Sequence, residues 1–276
     1  MAKVILITGA SSGIGKDTAL RLIQEGHRVY GAARRIDRMQ DIVTAGGKAI
    51  KMDVTIESEI EAAVSQVIEE QGRIDVLFNN AGYGLFGAVE LITIEEARRQ
   101  FDVNIFGLAR MTKKVIPLMR KQGSGTIINM SSVGGKVYSP FGAWYHGTKH
   151  ALEGWSDCLR LELKPFNIDV VLIEPGAIAT EFGSLMYDGM VERSQGTPYE
   201  RPTKIMAGET EKIFSADGKL SPPSVISNLV VKAVRAKKPR IRYVAGKYSS
   251  SMLFARKYFS DRFFDKLYSM LIYRKK

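Results

Sequence analysis

Tyr145 and Lys149 stand four residues apart, and Ser132 lies thirteen residues before the tyrosine, in the stretch SSVGGKVYSPFGAWYHGTK at 131–149. On a helix, a spacing of four places two side chains on one face, about one turn apart. A phenol next to an ammonium group is a tunable acid, because a nearby cation favours the tyrosinate and lowers the reference pKa of about 10. A serine hydroxyl converging on the same point would hydrogen-bond a substrate oxygen. These parts suit proton exchange with a carbonyl or alcohol oxygen while a cofactor carries hydride. Each part alone has an ordinary reading: a surface pair of side chains, and a turn after a strand.

The other end of such chemistry is legible upstream. TGASSGIGKDTA at 8–19 follows an apolar run and opens a helical one. Gly9 permits a tight turn, Gly13 lets backbone approach a pyrophosphate, and Gly15 allows close helix–strand contact. Ser11, Ser12 and Ile14 lie between them, and the free N–H groups of the helix start face the phosphates. The spacing is G-x3-G-x-G, a departure from the common G-x-G-x-x-G. The acid expected about 20 residues on, to hold a ribose diol, is missing. Ala33 stands there, followed by Arg34 and Arg35. A guanidinium offers paired donors to a phosphate, which favours NADP(H) over NAD(H). The alternative is a solvated basic loop. Lys16 ranks below Arg34, since a cation at a helix N-terminus is locally disfavoured.

Positioning these groups falls to a regular alternation of elements. Strand-like runs KVILITGA, HRVYGAAR, KAIKMDV, IDVLFNNAG, GTIINMSS and IDVVLIEPG recur roughly every 25 residues, separated by segments of helical period. One of these, TIEEARRQFDVNIFGLARMTKKVIPLMRKQG, reads as a single long helix. Most of the strands lack polar alternation, which predicts a parallel sheet covered on both faces. The expected fold is α/β: a doubly wound, Rossmann-type parallel sheet in one domain spanning 1–246. Residues 177–222 break the pattern and are richer in Gly, Pro, Ser and Thr, as in a mobile substrate lid. Phe182, Leu185, Met186, Tyr187 and Met190 would offer it apolar contacts. PPSVISNLVVKAVRAKKP then resumes a helix and RIRYVAG a last short strand.

At this point the chain resembles the short-chain dehydrogenases/reductases of the compact single-domain type. The resemblance rests on TGASSGIG at 8–15, DV at 53–54, NNAG at 79–82, VN at 103–104, SS at 131–132, YHGTK at 145–149, and PG at 175–176 with Thr180. It implies a catalytic set of Asn104, Ser132, Tyr145 and Lys149, with Asn104 kinking its helix and holding a water that links the lysine to solvent. It implies that Asp53 and Val54 contact adenine, and that Asn80, Ala81 and Gly82 lie beside the adenosine. Tyr145 and Lys149 would also contact the cofactor, and Pro175, Gly176, Ile178 and Thr180 would meet its nicotinamide and phosphates. Dimers or tetramers are implied as well. The stretches GYGLFGAVE and RAKKPRIRYVAG, with the C-terminal extension, look most like the hydroxysteroid, retinol and acyl-dihydroxyacetone-phosphate branch. Its substrates are apolar: steroids, retinoids or lipid-like ketones and alcohols. The competing class is a nucleotide-binding sensor or scaffold without turnover, which would have no need of the four catalytic groups.

Composition limits the remaining possibilities. One cysteine, Cys158, allows no intrachain disulfide, and three histidines form no ligand-spaced cluster, so no metal is expected. The first apolar run is short and cut by glycine, which reads as a cytoplasmic start. No apolar run reaches the roughly 18 residues of a spanning helix. The net charge of +11 is a property of the tail, because residues 232–276 carry fourteen Lys/Arg against two acids. No nucleic-acid module accompanies that charge, so nucleic acid is not an expected partner. Residues 247–276 read as a basic amphipathic helix with Phe259, Phe263, Leu267 and Met270 in one stripe. Such a helix fits an anionic membrane interface, a lid over the pocket or a second subunit.

Overall fold

The computed structural model describes residues 1–215 and 220–273. Seven strands form one sheet: β1 (Val4–Thr8), β2 (Arg28–Ala33), β3 (Lys48–Lys51), β4 (Val76–Asn79), β5 (Gly125–Met130), β6 (Ile168–Pro175) and β7 (Arg242–Ala245). Their order is β3-β2-β1-β4-β5-β6-β7, and every pairing is parallel. The chain therefore reverses its direction of travel between β1 and β4. That switch opens a crevice at the carboxyl ends of the strands.

The helices are α1 (Gly13–Gln24), α2 (Gln40–Thr44), α3 (Glu57–Gln71), α4 (Ile94–Phe101), α5 (Leu108–Gln122), α6 (Ala143–Leu163), α7 (Glu181–Ser194), α8 (Glu200–Ser215), α9 (Pro223–Arg235), α10 (Ser249–Tyr258) and α11 (Asp261–Ile272). Strand residues alternate between two cores, as the pleat requires. Ile5 and Ile7 of β1 pack with Ala19 and Leu22 of α1 and with Ile226, Val230 and Val234 of α9. Val4 and Leu6 face the other way, toward Val64 and Val67 of α3, Met111 and Val115 of α5, and Leu159 of α6. Both faces are covered, which explains why the strands read as unbroken apolar runs. The doubly wound, Rossmann-type fold is the one the alternation predicts. No helix among the described residues is long and apolar enough to cross a membrane.

Three expectations change. The long helix of 93–123 begins at a Thr93–Glu96 capping box but is interrupted by a π turn over Asp102–Gly107. The segment 177–222, expected as a lid that breaks the pattern, holds two helices, α7 and α8. Its apolar residues supply the reason: Met190 and Met206 are buried together against Phe86 and Tyr145. The side chain of Leu185 lies outside the described residues. The tail is two helices, α10 and α11, with the break at Phe259–Ser260.

Candidate active site

The candidate residues leave the carboxyl ends of neighbouring strands. After β1 the backbone turns at Gly9 (φ +69°), where a Cβ would stand 2.8 Å from the Ala81 Cα. A Cβ on Gly15 would stand 2.5 Å from the Gly9 carbonyl oxygen. Both positions need glycine for the close approach of backbone. Asn80 braces the turn, its amide donating to the carbonyls of Thr8 and Gly9 at 3.1 Å. The Thr8 hydroxyl in return accepts from the N–H groups of Asn80 and Ala81 at 3.1 and 3.0 Å. The Asn80 side chain is thus committed to the loop.

At the start of α1, Ser12 makes no side-chain cap and the first turn holds no acid. Its N–H groups remain to meet an anion, and the helix dipole favours one. Ser11, Ser12, Gly13, Ile14, Arg34, Asp53, Val54, Asn80, Ala81, Gly82, Pro175, Gly176, Ile178 and Thr180 all line one cavity of about 830 Å³. Gly15 is not among its lining residues. A cleft of this size, with bare N–H groups midway and glycines that a Cβ would block, fits a dinucleotide. At the end of β2 the Arg34 side chain is 66% exposed, 3.9 Å from the Asp53 carboxylate. Lys16 is paired with Asp41 at 2.9 Å.

The same cavity reaches Ser132, Tyr145 and Lys149. Ser132 follows β5, and its Oγ accepts from the Gly134 N–H at 3.0 Å. Tyr145 and Lys149 lie one turn apart on α6, both buried, with the ammonium 6.0 Å from the phenol ring centre. Lys149 Nζ donates to the Met130 carbonyl at 2.8 Å. Burial sets the local electrostatics here. It pushes the phenol of Tyr145 up to about 12, partly opposed by a hydrogen bond from Ser132. It pushes Lys149 down to about 8, against the attraction of Glu153. The lowering of the tyrosine pKa expected from the lysine is not seen; desolvation sets the direction, and the Ser132 hydrogen bond is what opposes it.

Asn104 sits on the π turn and is buried. Its Oδ1 accepts from the Tyr83 N–H at 3.1 Å, and its Nδ2 donates to the Tyr83 carbonyl at 2.9 Å and to Thr148 Oγ1 at 3.2 Å. The side chain ties the loop after β4 to α6, between Tyr145 and Lys149 in sequence. The interruption at Asn104 is a π turn, one residue wider than an α turn.

His146, Phe86 and Glu153 carry no role in the sequence analysis, whereas Phe182 and Tyr187 are the apolar contacts expected of the lid. His146 adjoins Tyr145, its ring edge-on to the phenol ring with centres 5.7 Å apart. Its Nδ1–H donates to the Gly134 carbonyl at 2.8 Å, and Nε2 accepts from the Ser139 hydroxyl at 3.0 Å. Burial lowers its pKa, so the ring is neutral and pins the 134–139 loop over the phenol. Phe86, Phe182 and Tyr187 form an aromatic roof, with Phe86 and Phe182 at 5.6 and 5.8 Å from the Tyr145 ring. Behind Lys149, Glu153 pairs with Lys136 at 2.8 Å and with Arg242 at 3.0 Å. Arg242 also reaches Asp157 at 2.7 Å and Glu174 at 3.0 Å. The one available signal was Glu153 at position i+4 from Lys149.

The profile described as short chain dehydrogenase matches residues 3–189. The chain belongs to the short-chain dehydrogenase/reductase family. A relative described as a 3-ketodihydrosphingosine reductase of Bacteroides thetaiotaomicron is 47% identical over 180 residues, 65% of each chain. The match thus spans less than two thirds of that relative. The crystal structure of a short-chain dehydrogenase from Streptomyces avermitilis superposes with a TM-score of 0.80 at 33% identity, covering 98% of this chain and 97% of that one. A serine dehydrogenase complexed with NADP+ (TM-score 0.75, 26% identity, 89% and 95% covered) is also similar. So is a 3-ketoacyl-(acyl-carrier-protein) reductase from Brucella melitensis complexed with NADH (TM-score 0.75, 27% identity, 90% and 98% covered). This short-chain dehydrogenase/reductase shares the nicotinamide-binding fold of both, and its family is one of oxidoreductases.

Proposed function

We propose that the chain is an NADP(H)-dependent oxidoreductase acting on the carbonyl, or the corresponding alcohol, of an apolar lipid-like substrate. The observation that carries this reading is one continuous cavity. It runs from Arg34, past the bare N–H groups of α1, to Ser132 and Tyr145 under an aromatic roof. When bound, the nicotinamide supplies or accepts the hydride.

The chain's own residues do the rest. Gly9, Gly13 and the first turn of α1 hold the pyrophosphate, with Ser11, Ser12 and Ile14 around it. Asp53 and Val54 face the adenine, beside Ala81 and Gly82. Pro175, Gly176, Ile178 and Thr180 close the nicotinamide side. Ser132 donates a hydrogen bond to the substrate oxygen, and Tyr145 gives it a proton. Burial keeps the phenol protonated at neutral pH, the form that reduction requires. Lys149, still largely charged at pH 7, orients the ribose and stabilises the tyrosinate as it forms. Asn104 holds α6 to the loop after β4.

Phe86, Phe182, Met186, Tyr187, Met206 and Leu271 give the substrate end its apolar walls, which suits a lipid-like, retinoid or steroid carbonyl. The Bacteroides relative's description supports a lipid ketone among these. Family likeness supports a homodimer or homotetramer.

A panel of ketosphingoid, retinoid and steroid carbonyls assayed with NADPH tests the substrate class; turnover confined to small hydrophilic ketones overturns it. The cofactor choice is tested at Arg34. Arg34→Ala is expected to raise the Kd for NADPH by about 10–100-fold, the worth of a charge-assisted phosphate contact, and to leave NADH within about twofold. Equal losses for both, measured by fluorescence titration, would remove the phosphate role.

A further inference from the structure

The two C-terminal helices are apolar on both sides. Their inner side is accounted for. Phe264 packs on Tyr138 with ring centres 6.0 Å apart, and Ile272 joins the cluster of Phe86, Tyr145, Met190 and Met206. Met252, Tyr268 and Leu271 line the substrate end of the cavity. Their outer side is uncovered. Phe254, Tyr258, Phe259, Phe263, Leu267, Met270 and Tyr273 are each between 44% and 63% exposed. Seven large apolar side chains thus face outward within twenty residues, a concentration that ordinary soluble surfaces avoid. The stripe Phe259, Phe263, Leu267 and Met270 belongs to this outer face. Phe259 and Phe263 stack at 4.4 Å, and Phe254 and Tyr258 lie at 4.7 Å, so the aromatic rings form a ridge.

Charge selects the occupant. Residues 247–276 carry eight Lys/Arg against two acids. Both acids are engaged, Asp261 with Arg256 and Asp265 with the Tyr138 hydroxyl. Among the described residues, Lys257, Arg262 and Lys266 make no ion pair. A second copy of this face would set cation against cation. An anionic lipid surface would take the cations at its headgroups and the aromatic ridge just beneath them.

We propose that α10 and α11 form an interfacial anchor that seats this end of the chain on an anionic lipid surface, with the substrate cavity directly beneath. A bilayer-soluble carbonyl would then reach Tyr145 without crossing water. The anchor deepens the preceding functional reading, and its value for substrate delivery rests on that reading. Its binding to lipid does not.

The test separates the two. The full chain, without substrate or cofactor, is sedimented with vesicles of phosphatidylcholine alone or of phosphatidylcholine with phosphatidylglycerol. Binding to the mixed vesicles, weakened by high salt, is expected. The variant Phe263→Ser/Leu267→Ser/Met270→Ser changes only exposed side chains outside the cavity. It should lose at least about tenfold of that binding, as should Lys257→Glu/Arg262→Glu/Lys266→Glu. Both variants should keep the wild-type Tm, NADPH affinity and turnover of a small soluble ketone. No partition of the wild type onto anionic vesicles overturns the proposal. So does partition that neither variant reduces. Sedimentation velocity supplies the third overturning result: a dimer that the serine variant dissociates, with no vesicle binding, would make this face a subunit seam. An enzyme that binds vesicles but turns over no lipid carbonyl would leave the anchor standing and remove the substrate reading.

Discussion

Tyr145→Phe is expected to lower kcat for carbonyl reduction by about 10³-fold or more, with NADPH affinity changed by less than about threefold. The substitution deletes one oxygen and keeps the ring. The packing against Phe86 and Phe182 survives, so the expected Tm is that of the wild type. The size of the effect follows from the surroundings. Among the described residues at this end of the cavity, the phenol is the one acid beside both Ser132 and Lys149. His146 is close, but both its ring nitrogens are occupied by the Gly134–Ser139 loop. Single-turnover absorbance at the NADPH band, read beside cofactor titration, checks the expectation. Unchanged turnover would remove Tyr145 from its assigned role.

The same environment fixes a pH dependence. Burial lowers Lys149 to about 8, so the free enzyme loses that charge as pH rises through that value. A profile of kcat/KM for reduction reports groups of the free enzyme, and it should fall above about pH 8. The raised phenol titrates too high to account for a fall there. A profile flat to pH 9.5 would contradict the charged role of the lysine.

How much of this was legible beforehand depended on whether the signal was local. The sheet was readable because parallel strands buried on both faces must be continuously apolar, as VILIT and VLFN are. The glycine turn, the four-residue interval from Tyr145 to Lys149, and Ala33 with Arg34 after it where an acid was expected are each properties of a short stretch. The π turn at Asn104 leaves no such mark, since it shifts one helical register without changing composition. Helices α7 and α8 left no helical signature in the lid segment because Gly189 and Gly208 lie inside them, and tertiary burial of Met190 and Met206 overrides that propensity. The tail was legible only in part. The stripe Phe259, Phe263, Leu267 and Met270 left open whether it meets a membrane, the pocket or a subunit, and Phe264, Tyr268 and Ile272 form a second stripe that contact with the cavity selects as the inner one. Glu174 in VVLIEPG could not be recognised as half of a buried carboxyl pair, because its partner Glu153 is twenty-one residues away on another element.

That pair carries the second large expected effect. Glu153 is 3% exposed and holds both Lys136 and Arg242. Glu153→Leu removes the carboxylate and leaves two cations facing an apolar side chain. Breaking a buried ion pair from one side costs about 3–5 kcal/mol. Lys136 and Arg242 keep some contact with water, and Arg242 keeps Asp157, so the lower end, about 3 kcal/mol, is expected. For a chain of this size that is a fall in Tm of roughly 6–12 °C. Activity should fall with it, because Glu153 lies one turn beyond Lys149 and against Gly135, where an added Cβ would meet Glu153 Cγ at 2.9 Å and Ser131 Oγ at 3.1 Å. Glu174→Gln separates charge from shape. Burial, then the neighbouring Glu153 charge, raises the Glu174 carboxyl toward neutrality, while Arg242 opposes the rise. A carboxyl raised on folding binds a proton in the native state over a range where the unfolded chain does not. Its contribution to stability therefore declines as pH rises from the ordinary carboxylate range toward neutrality. The glutamine variant lacks that titration, so its Tm relative to wild type should climb by a few degrees between pH 5 and pH 8. The Glu153→Leu deficit should persist at both. Thermal melts of the two variants at the two pH values decide the matter: a constant offset for Glu174→Gln would mean that the pair shares no proton, and a mild Glu153→Leu would mean that Asp157 and Glu174 alone suffice to hold Arg242.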